Sequence, residues 1–177
     1  MRLFHRHGFG IQSPWAYHLV TDVLFDKSQF YAYESLKATH PGYFRQGERL
    51  FRLVNELKPH NAAIVTSDIT SPSTRAAQDY MRAASHTLTV SVVSDTPFQH
   101  HSMIVVQSPS LFNLADWLTR GLVSDDVVII VDDISHEGAS LWQQLLDEPT
   151  STATFDIART CGIAFFDCKR TKQAYRV

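Results

Sequence analysis

The sequence predicts an α/β protein: a doubly wound, mostly parallel sheet that closes in an antiparallel C-terminal hairpin and carries an N-terminal helical cap. Three observations lead there. From Ala62 onward, short β-branched runs alternate with segments of helical length, the pattern of a parallel sheet covered on both faces. Three Ser-Pro pairs, Ser13-Pro14, Ser71-Pro72 and Ser108-Pro109, place an N-cap serine before a first-turn proline. The run Val127-Val128-Ile129-Ile130-Val131 ends in a carboxylate pair, Asp132-Asp133, where open α/β sheets carry their ligand crevice.

The elements follow in order. A loop, His7-Gly8-Phe9-Gly10-Ile11-Gln12, precedes a helix that opens at Pro14 and runs through residue 25. A second helix over 48–57 repeats apolar residues at Leu50, Phe51, Leu53, Val54 and Leu57 and stops before Pro59. Residues 30–47, rich in Tyr and Phe, read as an irregular connection, so residues 1–60 form a cap and 61–177 the core of one domain. The core reads as strand 62–66, helix 72–84, strand 88–93, strand 103–106, helix 109–120 closed by Gly121, strand 127–131, helix 136–146 closed by Pro149, and a hairpin of 152–157 with 162–166. Only nine residues, 94–102, separate the second and third strands, which is short for a crossover with a helix. Either a helix and a strand are missing there or the two strands pair antiparallel, and an extended crossing of roughly 30 Å is also within reach of nine residues.

Composition excludes several classes of protein. With 177 residues, 44% hydrophobic and 19% charged, the chain is the size of one ordinary domain and is not disordered. A formal net charge of -2 argues against nucleic-acid binding through bulk charge. No apolar stretch approaches the roughly 20 residues needed to span a bilayer. The first ten residues lack an apolar signal core, and Cys161 and Cys168 show no metal-type spacing, so a cytoplasmic protein with reduced thiols is expected.

Three stretches carry a family resemblance. They are His7-Gly8-Phe9-Gly10-Ile11-Gln12-Ser13-Pro14-Trp15, Leu50-Phe51-Arg52-Leu53-Val54, and the tail from Val131-Asp132-Asp133-Ile134 through Phe155-Asp156 to Gly162-Ile163-Ala164-Phe165-Phe166. Together they resemble the class I S-adenosylmethionine-dependent methyltransferases of Bacteroidetes, with Gln12 and Trp15 as departures from that family's His-Gly-x-His-Ser-Pro-Phe loop. The resemblance implies a Rossmann-like sheet ending in an antiparallel hairpin. It implies S-adenosylmethionine as cofactor and methyl transfer to an oxygen or nitrogen acceptor, small molecule or protein.

The same resemblance locates the site. Family members carry an acidic-x-Gly-x-x-x-Gly turn after the first strand, whereas this chain has Thr66-Ser67-Asp68-Ile69-Thr70-Ser71-Pro72-Ser73 and no glycine anywhere between Gly47 and Gly121. Ser67, Asp68, Thr70 and Ser73 are the candidate cofactor ligands there, and the same residue types equally make a turn that only caps the next helix. Asp95, just past the second strand, is the candidate for the ribose hydroxyls and is also an ordinary turn residue before Pro97. Where the family tends to carry an acidic turn after the next strand, the chain has Gln107-Ser108-Pro109, so a hard cation would lack its third carboxylate and no metal site is expected.

Asp132, Asp133 and His136 are the candidate catalytic residues. The carboxylates face the crevice or cap the following helix, and His136 is a general-base candidate or a surface residue of a first helical turn. Trp117 and Trp142 recur with leucines at helical spacing and read as core. The aromatic residues of the cap either roof an acceptor pocket or serve a homodimer contact. A shortened centre and altered ligand positions also suit an inactive descendant that acts as a binding or subunit-interaction module.

Overall fold

The computed structural model describes residues 10–94 and 99–177. Residues 7–9 of the N-terminal loop and Asp95 lie outside the described residues. The cap begins with α1 (Pro14–His18), whose N-cap Ser13 accepts a bond from the Ala16 amide, and runs on as a π-helix, Leu19–Leu24. The wide turn is visible in the Phe25 amide donating to the Val20 carbonyl five residues back. Its last carbonyls would be orphans, and Arg52 meets them, with Nε 2.7 Å from the Val23 oxygen and Nη2 3.1 Å from that of Leu24. His18 lies 3.0 Å from both Asp22 and Glu56, a second tie between this segment and α3.

The 30–47 segment is more regular than expected. It holds α2 (Tyr33–Thr39), and α3 (Phe44–Leu57) begins four residues before the anticipated start at 48. Gly47 permits this, because its helix packs against α4 so closely that a Cβ would sit 2.3 Å from the Tyr80 ring.

The core contains β1 (Asn61–Val65), α4 (Pro72–Ala84), β2 (Thr89–Val93), β3 (Met103–Val106), α5 (Leu114–Thr119), β4 (Val127–Asp132), α6 (Ala139–Asp147), β5 (Ala153–Ile157), β6 (Cys161–Phe166) and β7 (Gln173–Arg176). They form one sheet in the order β2-β1-β3-β4-β6-β5-β7. β2, β1, β3 and β4 are mutually parallel, β6 runs antiparallel between β4 and β5, and β7 lies parallel to β5. The doubly wound, mostly parallel sheet and its antiparallel hairpin are thus as the sequence predicts. β7 was not anticipated, because Gln173-Ala174-Tyr175-Arg176 has no β-branched residue and lies on the open edge.

The short link after Val93 resolves simply. β2 and β3 do not pair with each other; both run parallel to β1, on its two sides. Residues 94–102 therefore pass from the end of β2 to the start of β3, sidestepping two strand spacings of about 4.8 Å while returning a strand length, roughly 20 Å in all. A distance of that size is within the reach of nine residues. Asn61 ties the arriving chain to the start of β1, donating to the His100 carbonyl at 2.8 Å and accepting from the Ser102 amide at 2.9 Å.

Two further elements depart from expectation. The 109–120 helix is split into a 3-10 turn, Pro109–Leu111, and α5, because Asn113 caps α5 afresh through the Asp116 amide. Ser108 makes no cap hydrogen bond. α6 starts at Ala139 rather than 136, since residues 133–138 are held in turns by Asp133, whose carbonyl accepts from the His136 and Gly138 amides.

Alternation along the strands divides the core. One face buries Ile64, Val105, Ile130, Phe155 and Ile163 under α1, the π-helix, α3 and α4. The other buries Val65, Ile104, Ile129 and Phe166 under α5 and α6, with Trp117 and Trp142 as core residues, as expected. Both cysteines are free, Cys161 buried and Cys168 exposed. Among the described residues no helix is long and apolar enough to cross a membrane.

Candidate active site

A polar row crosses the sheet where β1, β3 and β4 end. On the α3/α4 face the apolar alternation of each strand turns polar at its carboxyl end: Ile64 is followed by Thr66, Val105 by Gln107 and Ile130 by Asp132. The chain leaves β1 toward β2 on one side and returns to β3 on the other, so the switch point of the sheet lies between β1 and β3. Ligands of open α/β sheets bind in the crevice at such a point.

Three residues from the helices above complete the row. Thr74 of α4, fully buried, donates at 2.8 Å to Oε1 of Gln107 and lies 3.0 Å from the Asp68 carbonyl. Nε2 of Gln107 lies 3.4 Å from the Tyr43 hydroxyl, at the start of α3. Arg49, six residues further along α3, acts electrostatically on Asp132 and Cys161. Burial pushes the Asp132 carboxyl up to about 6 against the opposing pull of Arg49, with the neighbouring Asp133 charge adding to the rise. Burial likewise pushes the Cys161 thiol up to about 12, which leaves it protonated and unreactive. The Tyr43 hydroxyl is raised well above its ordinary value, first by burial and then by Asp132.

The predicted catalytic residues fall into two groups. Asp132 faces inward under α3, partly buried. Asp133 adopts a left-handed φ of 51° and points outward, where Oδ1 lies 2.8 Å from Nδ1 of His136 and 3.1 Å from the Ser135 hydroxyl. The His136 bond, with burial opposing it, holds the Asp133 carboxyl below its usual range. The His136 side chain is 78% exposed, so this pair is a surface dyad at the rim and not part of the buried row. The adjacent carboxylates of the sequence are therefore separated where β4 ends: Asp132 closes the strand, and the left-handed turn at Asp133 sends the second side chain outward.

The glycine-free turn after β1 is built from its own hydroxyls. Asp68 accepts from both the amide and the hydroxyl of Thr70, at 3.0 and 2.9 Å, and these bonds lower its carboxyl. Ser71 caps α4 through the Thr74 amide at 3.1 Å and bonds Ser73 at 3.0 Å. Across the switch point, the Ser67 amide donates to the Ser108 hydroxyl at 2.9 Å and the two hydroxyls lie 3.1 Å apart. Ser108, anticipated as a helix cap, instead bridges the turns after β1 and β3.

Ser67, Asp68, Thr70 and Ser73 all remain exposed on the outer side of this turn. An exposed carboxylate beside hydroxyls suits the ammonium and hydroxyl groups of S-adenosylmethionine, so the donor set fits that cofactor through side chains, with the Ser67 amide already engaged. Arg49 and Thr74 were missed by sequence reasoning, and Tyr43 was singled out only as one of the cap aromatics, Phe9, Trp15, Tyr17, Tyr31, Tyr33, Tyr43 and Phe44, that roof an acceptor pocket or cover the sheet and serve a dimer contact. Only the i, i+2 position of Gln107 and Asp132 on their strands hinted that partners would come from the helices on that face.

Comparison with solved structures identifies the class of fold. The methyltransferase PaMTH1 of Podospora anserina, in its SAH-bound crystal structure, matches with a TM-score of 0.52 at 12% identity, covering 88% of this chain and 97% of that one. The O-methyltransferase TomG of Streptomyces achromogenes, involved in tomaymycin synthesis and crystallised with SAM, matches with a TM-score of 0.44 at 12% identity, over 79% of this chain and 91% of that one. The first likeness, with the strand order and the antiparallel β6, establishes a Rossmann-like fold of the methyltransferase type. No protein-family pattern and no curated protein matches the sequence.

Proposed function

We propose that the chain is a class I S-adenosylmethionine-dependent methyltransferase-like protein that moves a methyl group to an oxygen or nitrogen acceptor. The observation that supports this reading best is the polar row Thr66, Gln107 and Asp132 at the carboxyl ends of β1, β3 and β4, on the switch point of a methyltransferase-type sheet. Ser67, Asp68, Thr70 and Ser73 hold the cofactor from the outer side of the turn, and Asp95 is the proposed partner of its ribose. The cofactor supplies a methyl group on a sulfonium, so the protein has chiefly to orient the acceptor and take its proton. Asp132, with a carboxyl near 6, accepts that proton at neutral pH, and Tyr43 and Arg49 orient the acceptor beside it. His136, braced by Asp133, serves as a second proton acceptor at the rim.

The Ser67–Ser108 bridge favours a second reading, in which the protein keeps the fold as a non-catalytic binding or subunit-interaction module. That bridge and the Asp68–Thr70 bonds occupy groups that a cofactor would otherwise engage. Melting with and without S-adenosylmethionine or its demethylated product, near millimolar concentration, separates the two. Ligand at about 100 times its dissociation constant stabilises by roughly 2.7 kcal/mol, a shift on the order of 5 to 10 °C. The enzyme reading expects a saturable shift that Asp68→Ala diminishes. A cooperative transition that does not move with either ligand would leave the interaction module.

A further inference from the structure

A cleft of about 660 Å³ opens on the α5/α6 face, between α6 and the β5–β7 edge. Its size falls within the range of about 300–1,000 Å³ typical of small-molecule sites. Its apolar wall is Ile134, Trp142 and Leu146, and its polar floor is Asp156 and Arg176, with Arg159 at the rim. The wall is rigid, because Trp142 lies directly on Gly162 of β6, where a Cβ would come within 2.4 Å of the indole. The floor is an ion pair, Arg176 Nε to Asp156 Oδ2 at 3.0 Å.

The rim carries an independent observation. The β5–β6 turn places two successive non-glycine residues, Ala158 (φ 48°) and Arg159 (φ 61°), in the left-handed region, an arrangement that favours Asn-Gly or Gly-Gly. The Ala158 amide donates to the Val177 carbonyl at 2.9 Å and the Arg159 amide to Asp156 Oδ1 at 2.9 Å, so the surrounding structure holds the turn in place. Strained backbone of this kind persists where the neighbours over-determine it, and here it presents an exposed guanidinium at the mouth of a cleft.

We infer that this cleft binds an aromatic monocarboxylate, its ring against Trp142 and Leu146 and its carboxylate on Arg159. The charges select an anion: Arg176 is paired with Asp156 on the floor, whereas the exposed Arg159 guanidinium has no side-chain partner among the described residues and stands ready for a single carboxylate. A planar carboxylate matches a guanidinium with two parallel hydrogen bonds, and the indole supplies a stacking surface. This assignment is independent of the function proposed above, since none of these residues belongs to the polar row under α3.

Titration of the full chain with 1-naphthoate, followed through the tryptophan indole N–H signals, tests it. Naphthoate should move the Trp142 signal saturably and leave that of Trp117, which lies outside the cleft. The neutral 1-naphthalenemethanol, and Arg159→Gln titrated with naphthoate, should bind at least about tenfold more weakly. Arg159→Gly should lose binding to the same extent while melting no lower than the parent, because glycine suits the left-handed position. No saturable movement of Trp142, or equal affinity in the parent and both variants, overturns the site. Tighter binding of 1-naphthyl phosphate than of naphthoate overturns the choice of a monocarboxylate, and a lower melting temperature for Arg159→Gly overturns the reading of the turn as strained.

Discussion

Asp132 and Asp133 are neighbours in sequence with opposite surroundings, and their titration should differ accordingly. The folded carboxyl of Asp132 is raised to about 6 from an ordinary 3.8, so between those values the folded state binds more protons than the unfolded one. Stability therefore falls as pH rises through that window, and the cost is fully present above about 6. Asp132→Asn removes it, and we expect the variant to be more stable than the parent at pH 7.5, by on the order of 2 kcal/mol, with the difference vanishing near pH 3.5. Urea denaturation at several pH values measures this; a variant less stable at pH 7.5 would mean that Asp132 is held as a paired, stabilising anion. The carboxylate pair itself was legible in the sequence, as was its position at a strand end. Which member turns inward was not, because that depends on the register of β4 against β6 and on the helix above.

Among the elements, α3 does most to shape the site, since it carries Tyr43 and Arg49 over the ends of β3 and β4. Its position relative to α4 depends on Gly47, whose missing side chain leaves room for the Tyr80 ring of α4. Gly47→Ala gains helix propensity of about 1 kcal/mol yet drives a methyl into the Tyr80 ring, and overpacking of this sort typically costs 1–3 kcal/mol. We expect a net loss of about 1 kcal/mol in equilibrium unfolding, together with a shift in the Tyr43 environment seen by NMR. A more stable variant with an unchanged Tyr43 would show that the contact relaxes freely. The Ser-Pro signals located α1 and α4 correctly because both caps are local hydrogen bonds. Ser108-Pro109 misled for the opposite reason: its hydroxyl found a long-range partner in Ser67, and Asn113 started the helix instead.

Across the whole molecule, the two core layers share one sheet, so neither can lose its packing alone. Trp15 lies on the α1 side, its ring edge-on to Phe155 and Phe165, while Trp117 and Trp142 lie on the α5/α6 side. Tryptophan fluorescence and far-ultraviolet circular dichroism should therefore report one coincident unfolding midpoint. Separate midpoints would mean that the α1–α3 cap unfolds as a unit of its own. The nine-residue link from β2 to β3 also belongs to this scale, because its brevity makes sense only once both strands are seen flanking β1.

By itself the sequence determined the alternation of strands and helices, the parallel sheet with its antiparallel hairpin, the buried tryptophans and the unusual turn after β1. These follow from hydrophobic periodicity, local capping and the absence of glycine, all of which act over a few residues. Only the tertiary structure decided that Thr66, Gln107 and Asp132 form one row, that Tyr43, Arg49 and Thr74 meet it, that Ser67 reaches Ser108, and that Arg159 stands over a cleft beside β7. Each of those depends on strand order and on contacts between residues far apart in the chain, such as Gln107 and Tyr43, 64 positions apart, and no local pattern encodes such a distance.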